Sequence, residues 1–113
     1  MKTTLHEIPL ERRTLHGHFS RDLEPVARVR SGDVIRFATL DAGWGIEPPR
    51  PDGAERERFA PLDPELDAGH ALIGPVEVVG AAEGQTLAVG IEEVRVGPFG
   101  FTVAGGWSTF LND

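Results

Sequence analysis

Apolar residues in this chain come in short runs with a period of two, and turn residues separate the runs. Val26-Ala27-Arg28-Val29-Arg30, then Ser31-Gly32-Asp33, then Val34-Ile35-Arg36-Phe37-Ala38-Thr39-Leu40 predicts a strand, a tight turn and a second strand, paired as a hairpin. A further strand is predicted over Pro75-Val76-Glu77-Val78-Val79. Ala82-Glu83-Gly84-Gln85 is the next turn, leading into a run from Thr86 to Val96. In that run Leu87, Val89 and Ile91 are odd-numbered while Val94 and Val96 are even-numbered, so the apolar set changes phase at Glu92-Glu93 and predicts a β-bulge there. Phe99, Phe101 and Val103 mark one face of a last strand. No segment sustains a helical period. The best helix candidate, Ala54 to Phe59, is charged enough to read as a solvated turn. The expected fold is all-β, in one domain over residues 1–113.

The segment from Asp41 to Gly69 breaks the pattern. It holds Pro48, Pro49, Pro51, Pro61 and Pro64 and eight of the chain's 18 acidic residues. A loop this long inside a compact domain is either functional, as a lid or binding loop, or mobile.

Composition narrows the function classes. With 113 residues the chain can build one core, and only a small enzyme fits. Eleven basic against 18 acidic residues give a net charge of −7, which argues against a phosphate backbone as partner, so nucleic acid is not expected. No window approaches the ~18 apolar residues of a membrane span, and the first residues lack a signal peptide's apolar core. A soluble, cytoplasmic protein with no membrane partner is expected. There is no Cys, so a metal would need His and carboxylate ligands. Phosphate-loop, nucleophile-elbow and His-Glu-x-x-His patterns are absent, and Ser20, Ser31 and Ser108 carry no local sign of activation.

Four positions carry candidate chemistry. His16-Gly17-His18 in an extended strand puts two imidazoles on one face, where they could share a metal or simply face solvent on an edge strand. Asp41 stands where a strand runs into the long loop, as a candidate ligand or general base, or as a turn cap. His70, between Gly69 and Gly74 at the entrance of the next strand, is a candidate pocket residue or a structural one. Trp44 and Trp107 read as core packing.

Several of these segments, taken in order, resemble the amino-terminal part of the acetamidase/formamidase family. They are Val29-Arg30-Ser31-Gly32-Asp33-Val34-Ile35-Arg36-Phe37, Thr39-Leu40-Asp41-Ala42, Gly69-His70-Ala71-Leu72-Ile73-Gly74-Pro75-Val76 and Gly80-Ala81-Ala82-Glu83-Gly84-Gln85-Thr86-Leu87-Ala88-Val89. The resemblance runs from about Leu15 to Asp113 and includes Gly105-Gly106-Trp107-Ser108. It implies a β-sandwich with jelly-roll character and hydrolysis of a short aliphatic amide to carboxylate and ammonia. It also implies site residues at Asp41 in the strand-end motif and His70 in the Gly-His-x-Leu-x-Gly-Pro motif. Family enzymes are longer, and this chain lacks their second half. The expectations are therefore a small amidohydrolase, a non-catalytic binding or assembly module on the same scaffold, or a subunit that completes its site with another chain. In the enzymatic reading a divalent metal, zinc or calcium, would be held among His16, His18, Asp41 and His70, and would activate a water against a small-molecule amide. Apolar strand edges left by a shortened sandwich predict homo-oligomers.

Overall fold

A computed structural model describes residues 2–102. Within them the regular structure is six short strands and one 3-10 turn, an all-β arrangement. The strands are β1 (Leu5–Ile8), β2 (Leu15–His16), β3 (Ala27–Val29), β4 (Val34–Phe37), β5 (Leu72–Ile73) and β6 (Val76–Val78). They form three two-stranded sheets: β1 with β4 in parallel, β2 with β5 antiparallel, and β3 with β6 in parallel. Ala54 to Phe59 is not helical, as expected. Among the described residues no helix is long and apolar enough to cross a membrane.

The predicted strands over 26–40 form, and so does the turn between them, but they do not pair as a hairpin. The Asp33 carboxylate shows why. It accepts from the Arg30 amide (2.9 Å) inside the turn and also from the Thr4 amide (3.3 Å) and His6 Nε2 (2.8 Å). One side chain therefore closes the turn and holds the start of β1 against β4, with Leu5 opposite Val34 and Ile8 opposite Phe37. The edge of β4 goes to β1, and β3 is left to pair with β6, Ala27 opposite Val76 and Val29 opposite Val78. The 3₁₀ turn Arg12–Thr14 connects β1 to β2. It is closed by Thr14, whose hydroxyl donates to the Pro9 carbonyl (2.6 Å) and accepts from the Glu11 amide (3.2 Å), and whose side chain is wholly buried.

The buried apolar residues are Ile8, Leu15, Val29 and Trp44, one each from β1, β2, β3 and the long loop. Trp44 is thus a core residue, as expected for its large aromatic side chain; Trp107 and Val103 lie outside the described residues. The long loop is ordered by its own contacts. The Phe59 amide donates to the Trp44 carbonyl (2.8 Å) and the Ile46 amide to the Glu57 carbonyl (3.1 Å), with Gly45 bridging Arg58 antiparallel. Its far end is pinned by Asp67, whose side chain has no exposed surface and which accepts from Arg12 Nη1 (2.7 Å) and Nη2 (3.1 Å). The same guanidinium donates to the Pro61 and Leu15 carbonyls and lies against the rings of Trp44 and Phe59.

Beyond β6 the expectations fail in one respect. Thr86 to Val96 and residues 99–102 have no strand partner among the described residues. The radius of gyration, 17.2 Å, exceeds the roughly 13 Å of a compact chain of this length.

Candidate functional site

Three segments far apart in sequence meet at the end of β2. Gly17 follows His16, and its amide donates to the Leu66 carbonyl (2.8 Å), while the Gly69 amide donates to the Gly17 carbonyl (2.8 Å). The third segment is the 41–44 turn, where the Ala42 carbonyl accepts from the Ala71 amide (3.3 Å) and Trp44 Nε1 donates to the Gly69 carbonyl (2.8 Å). The approach is close enough to require glycine at two positions. A Cβ on Gly17 would stand 2.7 Å from Asp67 Cα, and one on Gly69 would stand 2.5 Å from the Gly17 oxygen.

A pocket of about 310 Å³ opens at this junction, lined by Gly17, His18, Phe19, Gly69, His70 and Leu72. His18 Nδ1 donates to the Leu66 carbonyl (2.8 Å). A carbonyl can only accept, so a proton sits on Nδ1, and in that tautomer the lone pair is on Nε2, which has no hydrogen-bond partner among the described residues. His70 is exposed on the same pocket, and Phe19, 91% exposed, forms part of its wall. The His70 and His18 candidates therefore share a pocket.

His16 does not join them there. An extended strand would put His16 and His18 on one face, but β2 ends at His16 and the chain bends through Gly17 and His18. The rings meet edge-to-face with centroids 6.4 Å apart, and His16 lines a second cavity of about 230 Å³ with Arg12, Arg13 and Glu24. Burial holds the His16 pKa below its ordinary value, against the Gly74 backbone and Asp67 and with a small push from His18. Burial thus favours the neutral imidazole, and its Nδ1 is buried with no protein partner among the described residues.

Asp41 takes the capping role. Its Oδ1 accepts from the amides of Gly43 (2.8 Å) and Gly45 (3.3 Å) and from Arg56 Nη2 (2.8 Å), and Oδ2 accepts from Arg56 Nη1. The Arg56 hydrogen bonds, against a desolvation that opposes them, hold its pKa below the usual carboxylate range. Arg56 is in turn stacked on Phe101, 4.8 Å from the ring centroid. Asp41 reaches the pocket through the backbone of the turn it closes.

Among the described residues no group of three or more His, Asp or Glu is arranged to hold a metal ion. The reasons are local: both Asp41 oxygens are engaged by Arg56, His18 Nδ1 is committed to Leu66, and His16 lines the other cavity. The four candidate ligands do not fit a shared divalent-ion centre in this arrangement.

Sequence reasoning missed Arg12 and Asp67, which hold the loop end that carries Leu66 and Gly69. The two are 55 positions apart and no local pattern connects them. It also missed the bend at Gly17, for which the glycine between His16 and His18 was an available signal.

A family comparison bears out the resemblance read from the sequence. No curated protein and no solved structure matches the chain. A family model described as the acetamidase/formamidase family matches residues 4–109. That span takes in all three segments meeting at the pocket and nearly the whole sequence, and the chain belongs to the acetamidase/formamidase family.

Proposed function

We propose that the pocket at the Gly17–Gly69 junction hydrolyses a short aliphatic amide to its carboxylate and ammonia. The observation that carries the reading is His18, an imidazole with Nδ1 fixed by the Leu66 carbonyl and Nε2 without a partner among the described residues, in a pocket it shares with His70. At about 30 Å³ per water, a volume near 310 Å³ takes a substrate of a few heavy atoms with several waters around it. His18 Nε2 accepts a proton from one water, whose oxygen attacks the amide carbon. A His70 ring N–H donates to the carbonyl oxygen as negative charge develops on it. The C–N bond then breaks, the His18 proton passes to the departing nitrogen, and ammonia and the acid leave. Asp41 acts as a positioning residue, since the turn it closes holds Gly69 and Ala71 on either side of His70.

On the same reading the six short strands belong to a two-layer sandwich with jelly-roll character. A second reading, a non-catalytic assembly module, is favoured by the Asp41–Arg56 pair, which takes a carboxylate out of use as a base. Ammonia release from formamide and acetamide separates the two. The full chain, with and without added zinc or calcium, should turn over one of these amides, and His18→Ala should lower the rate by about 100-fold or more while leaving the far-UV spectrum unchanged. Wild-type ammonia release no greater than that of His18→Ala and His70→Ala rules the amidase reading out.

A further inference from the structure

The Leu66 carbonyl accepts from two N–H groups at once, the Gly17 amide (2.8 Å) and His18 Nδ1 (2.8 Å). The Leu66–Asp67 peptide is planar, so its carbonyl and its N–H point in opposite directions and neither turns without the other. At the far edge of that plane the Asp67 amide donates to the Asp63 carbonyl (2.8 Å). Asp63 Oδ1 accepts from the two preceding amides, those of Glu65 (2.8 Å) and Leu66 (3.0 Å). Pro64 has no N–H, so every amide hydrogen of the 64–67 turn goes to Asp63. The turn is closed a second time by the Asp63 amide, which donates to Asp67 Oδ2 (2.8 Å). Asp63 itself is exposed. Its side chain fills no core space; it holds two successive peptides in place, and their outer edge is the carbonyl that meets His18.

We propose that Asp63 is a positioning residue for His18: by fixing the Leu66–Asp67 peptide it keeps a carbonyl on Nδ1, and so keeps the proton of the neutral ring on Nδ1 and the lone pair on Nε2. In a neutral imidazole the nitrogen that bears the proton is chosen by the hydrogen bond the ring makes. With the Leu66 carbonyl in place that nitrogen is Nδ1. If the carbonyl turns away, nothing in the 63–67 turn holds the proton there, and the ring can carry it on Nε2, the atom that must accept in hydrolysis. The same carbonyl serves the next step, because a ring that has taken a second proton donates from Nδ1 as a cation and the bond to Leu66 strengthens. The use of Nε2 as a base rests on the amidase reading above; the tautomer does not. The carboxylate reaches the base through a main-chain carbonyl, three positions along the chain from Asp63 and 48 from His18.

The test uses the full chain in mildly alkaline solution, where imidazole is neutral. Histidine side-chain ¹⁵N shifts, which separate a protonated ring nitrogen from an unprotonated one, should show wild-type His18 with its proton on Nδ1. Asp63→Ala should move the tautomer ratio toward the Nε2–H form by about tenfold. Asp63→Asn, whose amide oxygen accepts from the same two amides, should keep the wild-type ratio. Asp63→Ser, whose hydroxyl caps the turn more weakly, should shift it in the same direction as Asp63→Ala by a smaller factor, and serves if the alanine variant does not fold. With acetamide, Asp63→Ala should lower kcat by about 10-fold or more while KM stays within about twofold. A wild-type His18 protonated on Nε2 overturns the proposal, and so does a folded Asp63→Ala or Asp63→Ser chain whose tautomer ratio equals that of the wild type. A chain that shows the expected tautomers and releases no ammonia upholds the role of Asp63 and fails the amidase reading alone.

Discussion

Asp67→Ala is expected to lower folding stability by about 3 kcal/mol and to disorder the histidine pocket with it. The Asp67 carboxylate has no exposed surface and accepts from two Arg12 nitrogens and from the Asp63 amide (2.8 Å). Removing it leaves a guanidinium packed between Trp44 and Phe59 with no anion to neutralise it. A broken buried pair costs roughly 3–5 kcal/mol, and because the Arg12 side chain is 35% exposed the lower end applies. Burial alone would raise the Asp67 pKa, but the Arg12 hydrogen bonds and the Asp63 amide outweigh it and the pKa lies below the ordinary value. The folded state therefore binds fewer protons than the unfolded state in the acid range. The contribution is complete above the ordinary aspartate range and is lost as pH falls through the depressed folded value. Urea midpoints should show a wild-type advantage over Asp67→Ala that is large at neutral pH and narrows in acid. A difference below about 1 kcal/mol at pH 7 would mean that the Arg12–Asp67 pair does not hold the loop end.

Gly69→Ala should be among the most damaging methyl additions at the described glycines, because the group it meets is backbone. Its Cβ would stand 2.5 Å from the Gly17 oxygen, the same atom that accepts the Gly69 amide, so the added group pushes apart the contact that joins the segments. Gly17→Ala meets Asp67 backbone atoms at 2.7 Å, and backbone cannot rotate away as a side chain can. Overpacking of this kind costs about 1–3 kcal/mol. Because the junction carries both His18 and His70, ammonia release should fall by about 100-fold even where the variant stays folded. Gly90 is the internal control, since a Cβ there meets nothing within 4 Å. Gly90→Ala should shift stability by no more than about 0.5 kcal/mol. Equal melting temperatures for Gly69→Ala and Gly90→Ala would contradict the close approach.

The residues legible in sequence were those whose environment is set locally. Alternation located β3, β4 and β6, and a Ser-Gly-Asp turn located the reversal between β3 and β4. Partner choice was not legible. Asp33 spends its carboxylate on Thr4 and His6 as well as on its own turn, and that contact, 27 to 29 positions away, draws β4 to β1. β1 and β2 have four and two residues, too few for a period to register. Asp41 and His70 stood out because they flank the long loop, and its two ends do meet, through Ala42 and Ala71. Arg56, which decides what Asp41 does, looks from sequence like one more charge in an acidic loop. The run from Thr86 to Val96 is the reverse case, strand-like in its alternation on either side of Glu92-Glu93 and without a strand partner among the described residues.

The central claim is that His18 and His70 line one amide-binding pocket while His16 stands apart from it. Titrating the full chain with acetamide and following the ring C–H resonances of its four histidines measures this directly. The signals of His18 and His70 should move together and give a single Kd, with His6 unmoved and His16 shifting far less. Shifts confined to His16, or a titration in which no histidine resonance moves, would contradict the account.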